Sequence, residues 1–184
     1  MDKNIRQLIL EAQSGDANAF QKLVSLHDER IMTLAFQLTR NQQDAEDLYQ
    51  EVFIKAYRHL NNFHFKSEFY TWLYRITVNT FYNLNRKLSK FKYQENDGIT
   101  DSIINQIPDD RENPGKRREI MSAVKTAAMR LPVKQKTVFM LKHLQGLKIR
   151  EIAKIMDIGE GTVKKYLFRA MEKLRQDLQE YHYA

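Results

Sequence analysis

The chain has no cysteine, which excludes disulfides and thiolate metal ligands. Among 184 residues only six are glycine and three proline, so few positions interrupt a helix. No apolar run approaches the ~18 residues of a membrane-crossing helix. The N-terminus, Met1-Asp2-Lys3-Asn4-Ile5-Arg6-Gln7, lacks the apolar stretch of a signal peptide. These absences lead us to expect a soluble, cytoplasmic protein. There is no glycine-rich phosphate loop and no nucleophile constellation. The five histidines (His27, His59, His64, His143, His182) show no i, i+4 pairing. Nothing in the sequence supports an enzyme, a cofactor or a bound metal.

What is present favours an all-α protein. Hydrophobic residues make up 42% and charged residues 29%. The net charge of +7 suits a polyanionic partner, although plain solubility produces the same balance. The distribution says more than the total. Residues 1–65 carry a net −2, 66–94 a net +5, 95–112 a net −5, 113–130 a net +4 and 131–184 a net +5. Two basic segments flank an acidic one. That acidic segment holds Asp97-Gly98, Pro108-Asp109-Asp110 and Asn113-Pro114-Gly115, which are turn and breaker signals. We read residues 94–114 as a flexible linker between two small helical domains, 1–93 and 115–184.

Four helices are expected before the linker. The first covers about Lys3–Gln13 and ends at Ser14-Gly15. The second follows Asp16, a good N-cap, and stops near Asn41. The third runs from about Gln43 to Leu60, with Ala45, Leu48, Tyr49, Val52, Phe53, Ala56, Tyr57 and Leu60 as its apolar stripe. The fourth runs from about Ser67 to Leu88, with Phe69, Leu73, Ile76, Thr80 and Leu84 inward. After the linker come helices near Lys116–Arg130 and Lys134–Leu144, closed by Gly146, and then near Ile149–Met156 and Gly161–Gln179.

The last two helices form a helix-turn-helix pattern. Ile149, Ile152, Ala153 and Met156 repeat at i, i+3, i+4, i+7, and Val163, Leu167, Ala170, Met171 and Leu174 repeat in helical period. Ala153 is small where the helices cross, and Val163 lies ten residues on. Asp157 tolerates a left-handed turn, and Gly159 adds freedom. Lys164, Lys165, Tyr166, Phe168 and Arg169 point outward. Cations pair with phosphates or guanine edges, and Phe168 can meet a thymine methyl. An ordinary helical hairpin with a solvated basic face is the plainer alternative.

The fourth helix has a further stripe: Arg75, Asn79, Tyr82 and Arg86 at i, i+4, i+7, i+11, with Asn83 and Lys90 at its edge. Tyr70, Tyr74 and Phe81 flank another side. Aromatic rings that stack on bases, amides that bond base edges and cations that follow a backbone suit unpaired nucleic acid. A solvated polar face is the alternative. The third helix opens acidic, with Asp44, Glu46, Asp47 and Glu51. Interaction with the helix dipole is sufficient for Asp44 and Glu46. A docking face for a basic partner is another reading, and a carboxylate metal site lacks a matching second cluster.

Taken together these stretches resemble the extracytoplasmic-function (ECF) sigma factors of the sigma-70 family. Asp44-Ala45-Glu46-Asp47-Leu48-Tyr49-Gln50-Glu51-Val52-Phe53, with Tyr57, Leu60 and Phe63, looks like the family's polymerase-docking helix. Phe69-Tyr70-Thr71-Trp72-Leu73-Tyr74-Arg75-Ile76-Thr77-Val78-Asn79 looks like its minus-ten recognition and melting helix. Leu131-Pro132, Glu151-Ile152-Ala153, Gly161-Thr162-Val163-Lys164 and Arg169-Ala170 resemble its fourth domain. The resemblance implies a promoter-recognition factor working with core RNA polymerase and promoter DNA, with an anti-sigma factor as regulator. Asp47, Gln50 and Glu51 would meet the polymerase clamp. Arg75, Asn79, Tyr82, Asn83 and Arg86 would read the melted minus-ten strand. Lys164, Lys165, Tyr166, Phe168 and Arg169 would face the minus-thirty-five duplex. The sequence departs from the pattern at Tyr70, where a basic or small polar residue is common, and at Lys148, where a serine or threonine often caps the helix.

A stand-alone helix-turn-helix regulator is the competing reading. It explains the C-terminal half and leaves the fourth helix, the acidic third helix and the charged linker without a role. An RNA-processing or nuclease enzyme is a third and more distant reading.

Overall fold

The computed structural model describes residues 2–92, 124 and 126–182, and side chains up to Arg86 and Leu178. The expected linker 94–114, most of the expected helix near Lys116–Arg130 and the side chain of Lys90 lie outside the described residues. Among the described residues there are helices and turns and no strand.

Helix α1 spans Lys3–Gln13. It starts where the Asp2 carboxylate accepts from the Asn4 amide at 2.8 Å and ends at Ser14, beside Gly15 at φ +102°. Helix α2 spans Ala17–Thr39. Asp16 caps it by accepting from the amides of Asn18 and Ala19 at 2.8 and 3.2 Å. Its buried side is Ala19, Leu23, His27, Ile31, Leu34, Ala35 and Leu38. Arg40 closes it in the left-handed region at φ +62°. Helix α3 spans Gln42–His59, capped by Asn41, whose side-chain oxygen accepts from the Asp44 amide at 3.0 Å. A 3-10 turn, Leu60–Asn62, follows. Helix α4 spans Phe69–Lys92.

The three loops around this N-terminal bundle are tied by side chains. Gln13 Nε2 donates to the carbonyls of Leu60 and Phe63 at 2.9 and 3.0 Å, which fixes the end of α1 against the turn after α3. Phe63, Phe65, Phe69 and Trp72 pack as an aromatic cluster with centroid separations of 5.2–5.4 Å. The cluster sets the sharp entry into α4.

The C-terminal bundle has helix α5 at Val133–His143, α6 at Ile149–Met156 and α7 at Glu160–His182, with helical residues 126–129 leading into Leu131-Pro132. Gly146 takes φ +68° to reverse the chain after α5. Helix α6 starts with the Glu151 carboxylate accepting from the Lys148 amide at 2.8 Å. Lys148 offers no capping side chain of its own, so only this half of a capping box is made. The turn between α6 and α7 is set by Asp157 at φ +54°, ψ +49°. Gly159 does not take a positive φ, so the left-handed turn residue is the aspartate alone.

The two bundles lie in contact. One continuous cluster of buried side chains runs from Leu34, Leu38 and Leu73 to Leu141, Ile152 and Val163. A smaller core of Ala127, Ala128, Leu131, Phe139, Ala170 and Leu174 holds α5 to α7. None of the described helices is long and apolar enough to cross a membrane.

His27 gives this fold a pH dependence. Its ring is buried edge-on to Phe69 at 5.2 Å, and Nδ1 lies 2.9 Å from the Leu23 carbonyl, which can only accept, so Nδ1 carries the proton. Burial pulls the pKa of His27 below the ordinary value, the bond to Leu23 opposes this, and the charge of Arg30 adds to it. The unfolded chain therefore binds a proton more readily than the native one. Stability present above the unfolded value of about 6.5 is lost as pH falls toward the native one. Urea midpoints should drop between about pH 7.5 and about pH 5.5, and His27→Gln should lessen that drop. Burial and Lys142 also lower His143, so some slope should remain. An identical slope in parent and variant would show that His27 is not its source.

Candidate nucleic-acid and polymerase interfaces

On α3 the inward residues are Ala45, Leu48, Val52, Phe53 and Ala56. The opposite side presents Asp47 and Gln50, both exposed, with Glu51 about half exposed and paired to Lys55 at 3.1 Å. The three expected docking residues thus share one face. Two residues that sequence reasoning did not assign extend it. Ile54 is 45% exposed and Tyr57 is 55% exposed, and with Gln50 they follow at i, i+4, i+7. Tyr57 corrects the expected core stripe: its ring packs edge-on against Phe20 at 5.0 Å near the surface instead of entering the core. Ile54 could have been found, since it is the one apolar residue outside the inward stripe. The acidic residues at the start of α3 spread along the exposed surface, with Gln42 donating to Glu46 at 2.6 Å.

On α4 the structure divides the expected minus-ten set. Arg75, Asn79, Asn83 and Arg86 are exposed and lie together on the outer face. Tyr82 does not join them in this arrangement. It is only partly exposed, and burial, with Tyr166 adding to it and the hydroxyl of Thr137 opposing it, pushes its pKa up to about 12. The residues expected to flank another side turn toward the C-terminal bundle. Tyr70 donates to the Glu151 carboxylate at 2.6 Å, and Tyr74 donates to Gln145 Oε1 at 2.7 Å. The bond to Glu151, with burial second, raises the pKa of Tyr70. The remaining inward residues hold the helix to its own bundle, with Phe69, Leu73 and Thr80 buried and Ile76 and Leu84 half-buried.

On α7 the buried residues Val163, Ala170 and Leu174 leave Lys164, Lys165, Phe168 and Arg169 on the exposed side, with Phe168 65% exposed. A ring this exposed, between cations at the start of the second helix of the motif, fits contact with a base methyl. Tyr166 departs from this set. It is half-buried against the shared core and faces the neighbouring bundle.

Comparison with known proteins agrees with this geometry. Residues 23–91 match the family described as Sigma-70 region 2, and residues 121–174 match Sigma-70, region 4. The RNA polymerase sigma-H factor of Pseudomonas aeruginosa is 35% identical over 182 residues, covering 95% of this chain and 93% of that protein. The ECF RNA polymerase sigma factor SigW of Bacillus subtilis is 32% identical, covering 98% of this chain and 100% of that protein. Among solved structures, the sigma factor RpoE of Bartonella quintana, in complex with the anti-sigma factor NepR, aligns with a TM-score of 0.70 at 25% identity. That alignment covers 87% of this chain and 96% of that one. CnrH, in complex with the cytosolic domain of CnrY, aligns with a TM-score of 0.69 at 22% identity over 97% of this chain and 99% of that one, which shows a shared fold. The exposed acidic face of α3, the basic and amide face of α4 and the helix-turn-helix therefore belong to a member of the sigma-70 family, an ECF RNA polymerase sigma factor.

Proposed function

We propose that this sigma factor directs core RNA polymerase to a specific promoter set through three separate faces, in the cytoplasm and under the control of an anti-sigma factor. Asp47, Gln50 and Glu51 on α3 dock on the polymerase. Arg75, Asn79, Asn83 and Arg86 on α4, joined by Tyr82, read and hold the melted minus-ten strand. Lys164, Lys165, Phe168 and Arg169 on α7, joined by Tyr166, read the minus-thirty-five duplex. Residues 1–93 and 115–184 serve as the two working domains, with 94–114 as the connection. The single observation carrying this reading is the outer face of α4. Two arginines and two amides are left exposed on a helix whose other sides are packed, an arrangement that suits a single strand. The anti-sigma partner is supported by the Bartonella relative, which is seen with one bound. Run-off transcription with core polymerase over a pool of the host's upstream sequences tests the whole reading. Transcripts from a defined subset are expected. Specific duplex binding without core, and no transcripts with it, would instead mark a stand-alone regulator.

Each face has its own test. Glu51→Lys removes an exposed i, i+4 pair, worth about 0.3–0.5 kcal/mol, so thermal stability should barely move while affinity for core falls. Unchanged affinity removes Glu51 from the docking face. Asn79→Ala should impair open-complex formation more than closed binding, read as permanganate reactivity at the start site. Equal reactivity in variant and parent counts against α4 as the strand-reading helix. Loss of a bidentate base contact costs about 1–3 kcal/mol of discrimination, whereas a lost phosphate contact weakens all sequences alike. On a library randomised across the upstream element, Arg169→Ala should relax preference at one or two positions and Lys173→Ala should not. An even loss of output with unchanged preference would assign Arg169 to phosphate alone.

A further inference from the structure

We infer that Arg6 and Gln13 of helix α1 are positioning residues for minus-ten reading: they brace the turn between α3 and α4, and through it the start of the strand-reading helix. The inference rests on the sigma reading above and gives a task to α1, which lies ahead of the stretch 23–91 matched to Sigma-70 region 2.

The first observation is a backbone outlier. Among the described residues, Arg40, Phe65 and Asp157 take a positive φ without being glycine. Arg40 and Asp157 each close a helix, where a left-handed residue is ordinary. Phe65, at φ +58°, closes none, and a bulky side chain avoids this region unless its surroundings hold it there. Those surroundings come largely from α1. The Arg6 guanidinium carbon lies 4.5 Å from the centroid of the Phe65 ring, and Phe63 meets the same ring edge-on at 5.2 Å. Gln13 Nε2 donates to the carbonyls of Leu60 and Phe63, the residues just before the outlier. Arg6, Ile9 and Gln13 recur at i, i+3, i+7, so one stripe of α1 makes both holds, with Ile9 fully buried between them.

The restraint passes into α4. Phe63 packs on Phe69 and Trp72 at 5.4 and 5.3 Å, in the first turn of that helix. Arg75, the first of the exposed reading residues, follows within two turns of Phe69. Neither Arg6 nor Gln13 belongs to a reading or docking face, so their effect on the promoter runs through Phe65 and the turn.

The test uses the full-length chain with core polymerase. In Arg6→Ala/Gln13→Ala, trypsin should cut after the exposed Lys66 faster than in the parent, while affinity for core stays at the parent level. Open complex should fall about two- to fivefold, the change in an equilibrium that a lost cation–ring contact at an exposed site produces. On promoters randomised across the minus-ten element the preferred bases should change, with the upstream preference kept. The single variant Arg6→Lys, which keeps a cation over the ring, should match the parent where Arg6→Ala does not. Phe65 gives a second measurement. Phe65→Ala and Phe65→Gly lose the same ring, but only glycine takes a positive φ freely, so Phe65→Gly should retain more open complex than Phe65→Ala. Unchanged base preference in the double variant, Arg6→Lys as impaired as Arg6→Ala, or Phe65→Ala equal to Phe65→Gly each overturns the proposal. The unaltered chain is run beside them: if it directs no transcription with core, the sigma reading itself fails, and the trypsin cut then reports on the brace alone.

Discussion

Helix α4 has to satisfy three neighbours with one 3.6-residue period, and the rest of the fold is arranged around that constraint. One side, with Phe69, Leu73 and Thr80, closes the N-terminal bundle. A second, with Tyr70, Tyr74 and Phe81, meets the C-terminal bundle. The third, at Arg75, Asn79, Asn83 and Arg86, is exposed to solvent. Packing on two sides fixes which residues of α4 reach the surface. The threonines help. Thr77 and Thr80 are buried, with Thr77 bonded back to the Leu73 carbonyl at 2.9 Å and Thr80 accepting from Lys55 at 3.2 Å. The helix can thus pass through two cores without leaving these hydroxyls unpaired.

The elements were legible because each carries its own local chemistry. Asp2, Asp16 and Asn41 mark helix starts by side-chain capping, and Gly15, Gly146 and Asp157 mark ends by their positive φ. The helix-turn-helix follows from the Ala153-to-Val163 spacing, with both residues buried at the crossing. The exposed parts of the three faces followed from polar residues set against a clear inward stripe. What was not legible depends on long-range packing. Tyr82 and Tyr166 sit at outward positions by period on α4 and α7, and only the neighbouring bundle covers them. Tyr57 reads as core because tyrosine carries both an apolar ring and a polar tip, and nothing local decides which end meets water. Gly159 was assigned a freedom that the turn does not use, because Asp157 already supplies the left-handed residue.

Tyr70 and Lys148 meet at one carboxylate at the contact between bundles. Tyr70, a long side chain with a terminal donor, spans from α4 to Glu151. Glu151 uses both oxygens, one for Tyr70 and one for the Lys148 amide. The carboxylate that starts α6 is thus the same one that receives α4. Burial alone would raise its pKa, but the bonds from Tyr70 and Lys148 and the charges of Lys148 and Arg150 hold it below the usual carboxylate value. The acceptor therefore stays charged and strengthens both bonds, since a bond to an ionised acceptor is roughly twice as strong as a neutral one.

The contact joins an apolar core shared by both bundles to a set of polar bonds that make it specific. The bonded groups are hydroxyls, amides, a carboxylate and an ammonium. Each neutral bond contributes only about 0.5–1.5 kcal/mol net, because water competes for the same partners. Lys136 is held with a lowered pKa by burial and by Arg40, so its charge is poorly solvated where it bonds the Leu38 carbonyl. The Tyr82 hydroxyl is buried in the same contact, between Thr137 and Tyr166, and burial pushes its pKa up. Both groups lose hydration where the bundles meet, and the apolar packing around them offsets that cost.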